Sequence, residues 1–546
     1  MAGSAKQLTS QLWDMANALR GKMDASMYQN YILGFIFYRY LSEYQEHYLV
    51  DSGLLDVRDS ETVNAAYVRE ATGEELDDWR ENLSDELGYA IDPEYTWESL
   101  IGKIQNQTLK PEDFQEMLIR FNRNTQLNKN AEADFSHVFD DINLNDSKLG
   151  NNTNERAKSL ATLMDKINGI QFIDDNGHDI LGDVYEYLIA EFAGNSGKKA
   201  GEFYTPHEVS RILAKLVSYG REKDREVADE FSVYDPTMGS GSLLLTVESE
   251  MPQIDGNKPI VQFYGQELNS TTFNLARMNL MMHSVRYDRM TLRNADTLEM
   301  DWPDSADTNG IDYPLLFDGV VANPPYSQHW DNNASKMKDP RFKDYGKLAP
   351  KTKADYAFVE HGLYHLKDTG RMAIVLPHGV LFRGAAEGTI RKAIIDKNYL
   401  DAVIGLPANL FYSTGIPTVV LVFAKNRTNT DVLFIDASKD FEKNKNRNHL
   451  REEDIDKIIK TYGAREDVEK YAHVATLDEI KENDYNLNIP RYVDTFEEEE
   501  PIDINEVNRQ LAEVDKEIAD LTAQFEAMIA DLVWTDPEKH KNDHLL

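Results

Sequence analysis

From about Glu155 onward, short apolar runs alternate with amphipathic stretches of helical spacing, and few architectures accept that alternation. Parallel strands need a crossover long enough to hold a helix, so the pattern predicts a parallel sheet covered by helices on both faces. Strands are expected at 232–234, 261–264, 290–293, 317–322, 372–376, 402–405 and 418–423, with helices filling most of the gaps. The fold class is α/β, doubly wound and Rossmann-like. Ligands in such folds bind at the carboxyl ends of the strands, where strand order reverses.

A chain of 546 residues has room for about three domains. Ahead of the alternating region, Leu8, Leu12, Met15, Ala16 and Leu19 fall at helical spacing, and 28–44 is apolar enough to be a buried helix. This predicts an all-α domain over 1–154, closed by the turn-rich stretch 143–154. The α/β domain is expected over 155–490. After the acidic run Glu497 to Glu500 and Pro501, Val507, Leu511, Val514, Ile518, Leu521, Phe525 and Leu532 follow near-heptad spacing. The segment 491–546 should thus be a helical, coiled-coil-like tail whose apolar seam either packs on its own chain or docks a partner.

The strongest apolar run, 31–38, is shorter than the ~18 residues a membrane span needs, and the first residues lack a signal-peptide core. The absence of cysteine removes disulfides, thiolate nucleophiles and cysteine-based metal sites. A cytoplasmic location fits, and no metal site is expected. Net charge is −37, from 58 basic and 95 acidic residues, so phosphate neutralisation, the main source of non-specific DNA affinity, is poorly supplied. DNA, if it is the substrate, would need a local basic patch or a partner.

Asp235-Pro236-Thr237-Met238-Gly239-Ser240-Gly241 joins an expected strand to the helix beginning Ser242-Leu243-Leu244-Leu245. Glycines there let the backbone turn sharply and approach a ligand at the helix amino terminus. Glu267 ends the next strand, where doubly wound nucleotide sites place the acceptor for ribose hydroxyls. Asp296, one strand further, could accept from the amino group of an adenine ring or could close a turn with Thr297. Upstream, Glu202, Phe203, Tyr204, Thr205, Pro206 and His207 precede a helix through Val209, Ile212, Leu213 and Leu216. Thr205 and the free amides of that helix could hold the carboxylate of an amino-acid-like ligand; an ordinary N-cap explains the same residues.

The fourth strand runs into Asn323-Pro324-Pro325-Tyr326. Two prolines fix the backbone and leave carbonyls without amide donors beside them. Asn323 and the Pro324 carbonyl could accept both hydrogens of an exocyclic amine and so favour the pyramidal nitrogen that forms as its lone pair attacks. Tyr326 can stack on a planar ring, and a base in a duplex must be turned out to reach such a site.

These motifs, in this order, resemble the N6-adenine DNA methyltransferases. The helical region opening with Leu12-Trp13 and Leu33-Gly34-Phe35 is similar, more narrowly, to the modification subunit of type I restriction–modification systems. The resemblance covers most of the chain, strongest from Gly201 to Phe423. It implies an S-adenosylmethionine-dependent methyltransferase domain, with Thr205 and its neighbours at the methionine end, Gly239, Ser240 and Gly241 along the cofactor, Glu267 on the ribose and Asp296 on the cofactor adenine. It also implies Phe411 as a second aromatic against the target base. Partners implied are DNA, a specificity subunit that reads the sequence, and a motor subunit that cuts, with two modification subunits per specificity subunit. No Gly-x-x-x-x-Gly-Lys-Ser/Thr motif is present: Lys199 follows Gly197-Lys198, and Phe192 stands where the first glycine would be.

Lys336, Lys338, Arg341, Lys343 and Lys347, with Lys351 and Lys353, make a basic loop directly after the catalytic turn. This loop is expected against DNA phosphate; a solvated loop is the alternative. Rival readings keep the fold and methylate RNA or a protein amide nitrogen, or make the chain a silent scaffold or a nicotinamide oxidoreductase.

Overall fold

The computed structural model describes residues 25–73, 75–170, 181–182, 185–189, 204–221, 230–253, 259–299, 304–306, 312–411, 414–444, 447–495 and 504–530. Leu8 through Leu19, Glu202, Phe203, Glu497 through Pro501 and Leu532 lie outside them.

The amino-terminal part is helical: α1 (Ala25–Asp51), α2 (Val63–Glu70), α3 (Glu75–Leu87), α4 (Trp97–Gln105), α5 (Pro111–Thr125) and α6 (Thr153–Asn168). Helix α1 is apolar on nearly every side and is buried accordingly, with Ile32, Phe35, Ile36 and Phe37 fully enclosed. Helix α6 lies beyond the turn-rich stretch ending at 154, yet it packs on α1, α4 and α5. Arg39 of α1 donates to the carbonyls of Ile167 and Ile170 at 2.7 and 3.0 Å and so satisfies acceptors at the end of α6.

Nine strands form one sheet: β1 (Glu230–Asp235), β2 (Ile260–Glu267), β3 (Met290–Asn294), β4 (Phe317–Ala322), β5 (Leu366–Pro377), β6 (Leu400–Gly405), β7 (Thr418–Ala424), β8 (Val432–Asp436) and β9 (Ala472–Ala475). Their spatial order is β9-β8-β6-β7-β5-β4-β1-β2-β3. The chain works outward from β1 in two directions, so strand order reverses between β1 and β4, which pair in parallel. All seven expected strands are present. The sheet is mixed, however, not parallel: β7 runs antiparallel to both β5 and β6, and β9 is antiparallel to β8. Central strands buried on both faces read as unbroken apolar runs whatever their direction, so the pattern reports burial and not polarity.

Helices α7 (His207–Ser218), α8 (Ser242–Glu250), α9 (Ser270–Met282), α10 (Asp355–Tyr364), α11 (Ala385–Asp396) and α12 (Glu452–Ala464) accompany the sheet. The helical part is knit to this layer. Tyr40 of α1 donates to the Met281 carbonyl at 2.8 Å, and Arg277 of α9 donates to the carbonyls of Ala133, Asp134 and Ser136. Residues 1–494 accordingly form one compact unit, and 495–546 form a second, in which α13 (Ile504–Ala530) has no buried residue. Among the described residues no helix is long and apolar enough to cross a membrane.

Candidate active site

Strand β1 delivers the Asp235–Gly241 turn to the carboxyl edge of the sheet. Gly239 and Gly241 have φ of 54° and 77°, the left-handed region where a Cβ is penalised. At Gly241 space is missing as well, since a Cβ would fall 2.4 Å from Leu280 Cδ1. The turn leans on the next strand: Met238 N–H donates to the Gln266 carbonyl, and Gly239 N–H donates to Glu267 Oε2 at 3.2 Å. Asn269 N–H donates to Glu267 Oε1 at 2.8 Å, so this carboxylate bridges two loops. Burial raises its pKa while these amides oppose the rise.

A cleft of about 480 Å³ lies over the switch point, lined by Thr237 and Gly239 of the first turn, Glu267, Asp296, and Asn323 and Pro325 of the fourth. Its volume suits a nucleoside-sized ligand. On one wall two carboxylates keep acceptor capacity, Asp296 spending one oxygen on Leu298 N–H at 2.9 Å. On the other wall Asn323 is held at both ends of its amide. Its Nδ2 donates to Thr205 Oγ1 at 3.1 Å, and its Oδ1 accepts from the Tyr326 hydroxyl at 2.9 Å. Ser327 follows with φ of 54°, its N–H donating to Asp355 Oδ1 at 2.9 Å, and Asp355 is buried. The turn at 323–326 is therefore fixed from below by a carboxylate and from the side by the loop before α7.

Several expected residues stand outside the cleft. Asp235 is 1% exposed and accepts from Thr237 N–H at 2.8 Å; burial pushes its pKa up to about 7, so it braces the turn from beneath. Ser240 and Gly241 are likewise buried under the turn. Tyr204 lines a different cavity, of about 320 Å³, between α1 and α9. Pro206 is the N-cap of α7 without a side-chain bond, and His207 is exposed in its first turn. Phe411 reaches the ring of Tyr326, but edge to face, at 6.0 Å between centroids and 78° between planes, so the two rings meet and leave no parallel slot.

The basic loop is corrected in part. Arg341 is 2% exposed and cannot meet a phosphate, because its guanidinium is spent on Asp339 at 2.7 Å, the Thr297 carbonyl at 2.9 Å and His361 Nδ1 at 3.2 Å. Lys336 is mostly buried, with its ammonium on the Leu298 carbonyl and Glu299. Lys338, Lys343 and Lys347 are exposed.

The contacts of Arg341 define a relay beneath the cleft. Arginine only donates, so His361 Nδ1 accepts, and burial keeps that ring neutral with its proton on Nε2. Nε2–H then donates to the Tyr234 oxygen at 2.8 Å, and the Tyr234 hydroxyl donates to Gln266 Oε1 at 3.1 Å. Thr297, held by Arg341, in turn donates to the Pro236 carbonyl at 2.6 Å. Three strand-end loops are thereby tied together. Sequence reading missed this set because Tyr234, Gln266 and His361 sit in strand and helix runs that read as core, while Arg341 reads as one cation of a basic loop.

A doubly wound sheet whose switch-point cleft sets two carboxylates against Asn323 and Pro325 of an Asn-Pro-Pro-Tyr turn has the layout of an amino-group methyltransferase. Residues 176–501 match the family described as N-6 DNA Methylase, and residues 8–167 match the HsdM N-terminal domain. The chain belongs to the methylase subunits of type I restriction enzymes. The MpnII methylase subunit of Mycoplasma pneumoniae is 35% identical over 536 residues, 95% of each chain, and the MjaVIII methylase subunit of Methanocaldococcus jannaschii is 35% identical over 67% of this chain and 61% of its own. The crystal structure of a type I restriction-modification methyltransferase subunit from Streptococcus thermophilus is 45% identical with a TM-score of 0.80, covering 90% of this chain and all of that one. The family read from the sequence motifs is thus the family found.

Proposed function

We propose that this chain transfers the methyl group of S-adenosylmethionine to N6 of an adenine turned out of DNA, as the methylase subunit of a type I restriction–modification complex. The observation that carries the reading is one cleft holding both halves of the reaction, Glu267 and Asp296 on one wall and Asn323 with Pro325 on the other. The cofactor supplies an electrophilic methyl on a sulfonium. Glu267 accepts from its ribose hydroxyls and Asp296 from its adenine amino group. Asn323 Oδ1, oriented by the Tyr326 hydroxyl, and the Pro324 carbonyl accept the two hydrogens of the target amine. That geometry favours a pyramidal nitrogen and stabilises the transition state more than the planar ground state. Tyr326 supplies a ring face for the extruded base.

The net charge of −37 supports a reading in which a specificity subunit supplies sequence recognition and most of the grip on DNA; in this reading a restriction subunit cuts, and two methylase subunits serve each specificity subunit. Exposed Lys338, Lys343 and Lys347 lie against backbone phosphate, and the complex works in the cytoplasm. The test is methyl transfer from labelled cofactor by the co-expressed complex to DNA, RNA and protein. Label should enter DNA as N6-methyladenine, and Asn323→Ala should abolish it while cofactor binding and assembly persist. Parental activity in Asn323→Ala, or label in RNA or protein alone, would overturn the reading.

A further inference from the structure

Strand β5 leaves the sheet beside β4, at the same edge as the catalytic turn, and runs into the segment His378 to Gly384. Its backbone is held by four hydrogen bonds from three residues. The Val380 carbonyl accepts from Tyr356 Oη at 2.8 Å and from Arg391 at 3.0 Å, the Leu381 carbonyl from Leu487 N–H at 2.9 Å, and the Arg383 carbonyl from Arg391 at 2.9 Å. The Arg383 side chain pairs with Glu387 and with Asp355, the same buried carboxylate that receives Ser327 N–H. One side chain bridges this turn to the catalytic one. At the centre of the pinned segment Phe382 is left 48% exposed.

A single exposed phenyl needs no explanation on a mobile loop. On a backbone with no freedom to bury it, the ring is presented. The surroundings say to what. The short turn Lys343–Tyr345 packs on α11, which starts three residues after Phe382, and a Cβ on Gly346 would lie 3.3 Å from Thr389 Cγ2. Exposed Lys343 and Lys347 therefore border the same helix. An aromatic face for bases beside cations for phosphates is the chemistry of nucleic-acid contact.

We propose that Phe382 enters the DNA stack at the target position and occupies the space the adenine leaves. The assignment rests on the proposed function. Opening a paired base costs a few kcal/mol of stacking and pairing, and a ring that stacks in the vacated space offsets part of it.

The assembled complex is given its own methylation site with 2-aminopurine in place of the target adenine. Parent complex should show a fluorescence rise, and Phe382→Ala should lose about tenfold in base opening and in methylation of the normal site, the weight of one base–aromatic stack. Phe382→Trp should retain both. An abasic position opposite the target removes the pairing that opposes opening, so the stacking Phe382 supplies is no longer needed, and should restore Phe382→Ala to within about twofold of parent. Parental opening by Phe382→Ala, a defect the abasic partner does not relieve, or loss of complex assembly each overturns the inference, the last assigning the surface to a protein contact. A parent complex that methylates no DNA overturns the proposed function itself.

Discussion

Arg341 shows how little a residue's chemistry says without its neighbours. As one of seven cations after the catalytic turn it has the makings of a phosphate contact, yet its guanidinium links Asp339, Thr297 and His361 inside the protein. Replacing it with Met leaves a charged hydrogen-bond partner and a carbonyl unmet, at roughly 1.5–3 kcal/mol for a charged bond. Arg341→Met should lower the melting temperature and weaken cofactor binding about tenfold, with the salt dependence of DNA binding unaltered. Lys347→Ala should do the converse, reducing the salt slope by about one while cofactor titrations stay at parental values. Asp235 carries a pH prediction. Its folded pKa, about 7, stands above the ordinary 3.8, so the unfolded chain gives up this proton first and stability falls as pH rises between the two. Asp235→Asn keeps the acceptor for Thr237 N–H and removes the charge. The variant should melt a few degrees above the parent at pH 8, the gap closing toward pH 4; a constant gap would show that Asp235 is not the titrating group.

At the scale of elements, two glycines with nearly the same backbone separate strain from space. Gly241, the N-cap of α8, and Gly220 have φ of 77° and 78°, but a Cβ on Gly220 meets nothing within 4 Å, whereas on Gly241 it meets Leu280 near the end of α9. Gly220→Ala should cost only the left-handed penalty, about 1–2 kcal/mol. Gly241→Ala should cost more and also displace the turn carrying Thr237 and Gly239, read as weakened cofactor binding that Gly220→Ala does not show. The turn and its flanking strands were legible, because strand, glycine turn and apolar helix each leave a local pattern. The direction of β7 was not, nor were β8 and β9, since strand polarity follows from which neighbour is reached through space.

Across the whole molecule, charge and the tail point the same way. The 27 residues of α13, about 40 Å of helix, present Leu511, Ile518 and Phe525 each more than half exposed along one seam. An exposed apolar seam on an acidic chain makes docking to a partner with basic surface a testable role for this helix. Ending the chain at Asp494, where the compact unit ends, should leave the melting temperature and cofactor binding within error of the parent and abolish co-purification with the specificity subunit. Retained co-purification would place docking on the other unit. What the sequence determined by itself was the family, the seven strands and, of the cleft's lining, Gly239, Glu267, Asp296, Asn323 and Pro325, since those depend on local spacing and on motifs that are contiguous. What only the tertiary structure decided was which polar residues reach that cleft. Asp235 and Arg341 went beneath it, while Thr205 met Asn323 across 118 positions, because a side chain's partners are set by where the sheet brings distant loops together.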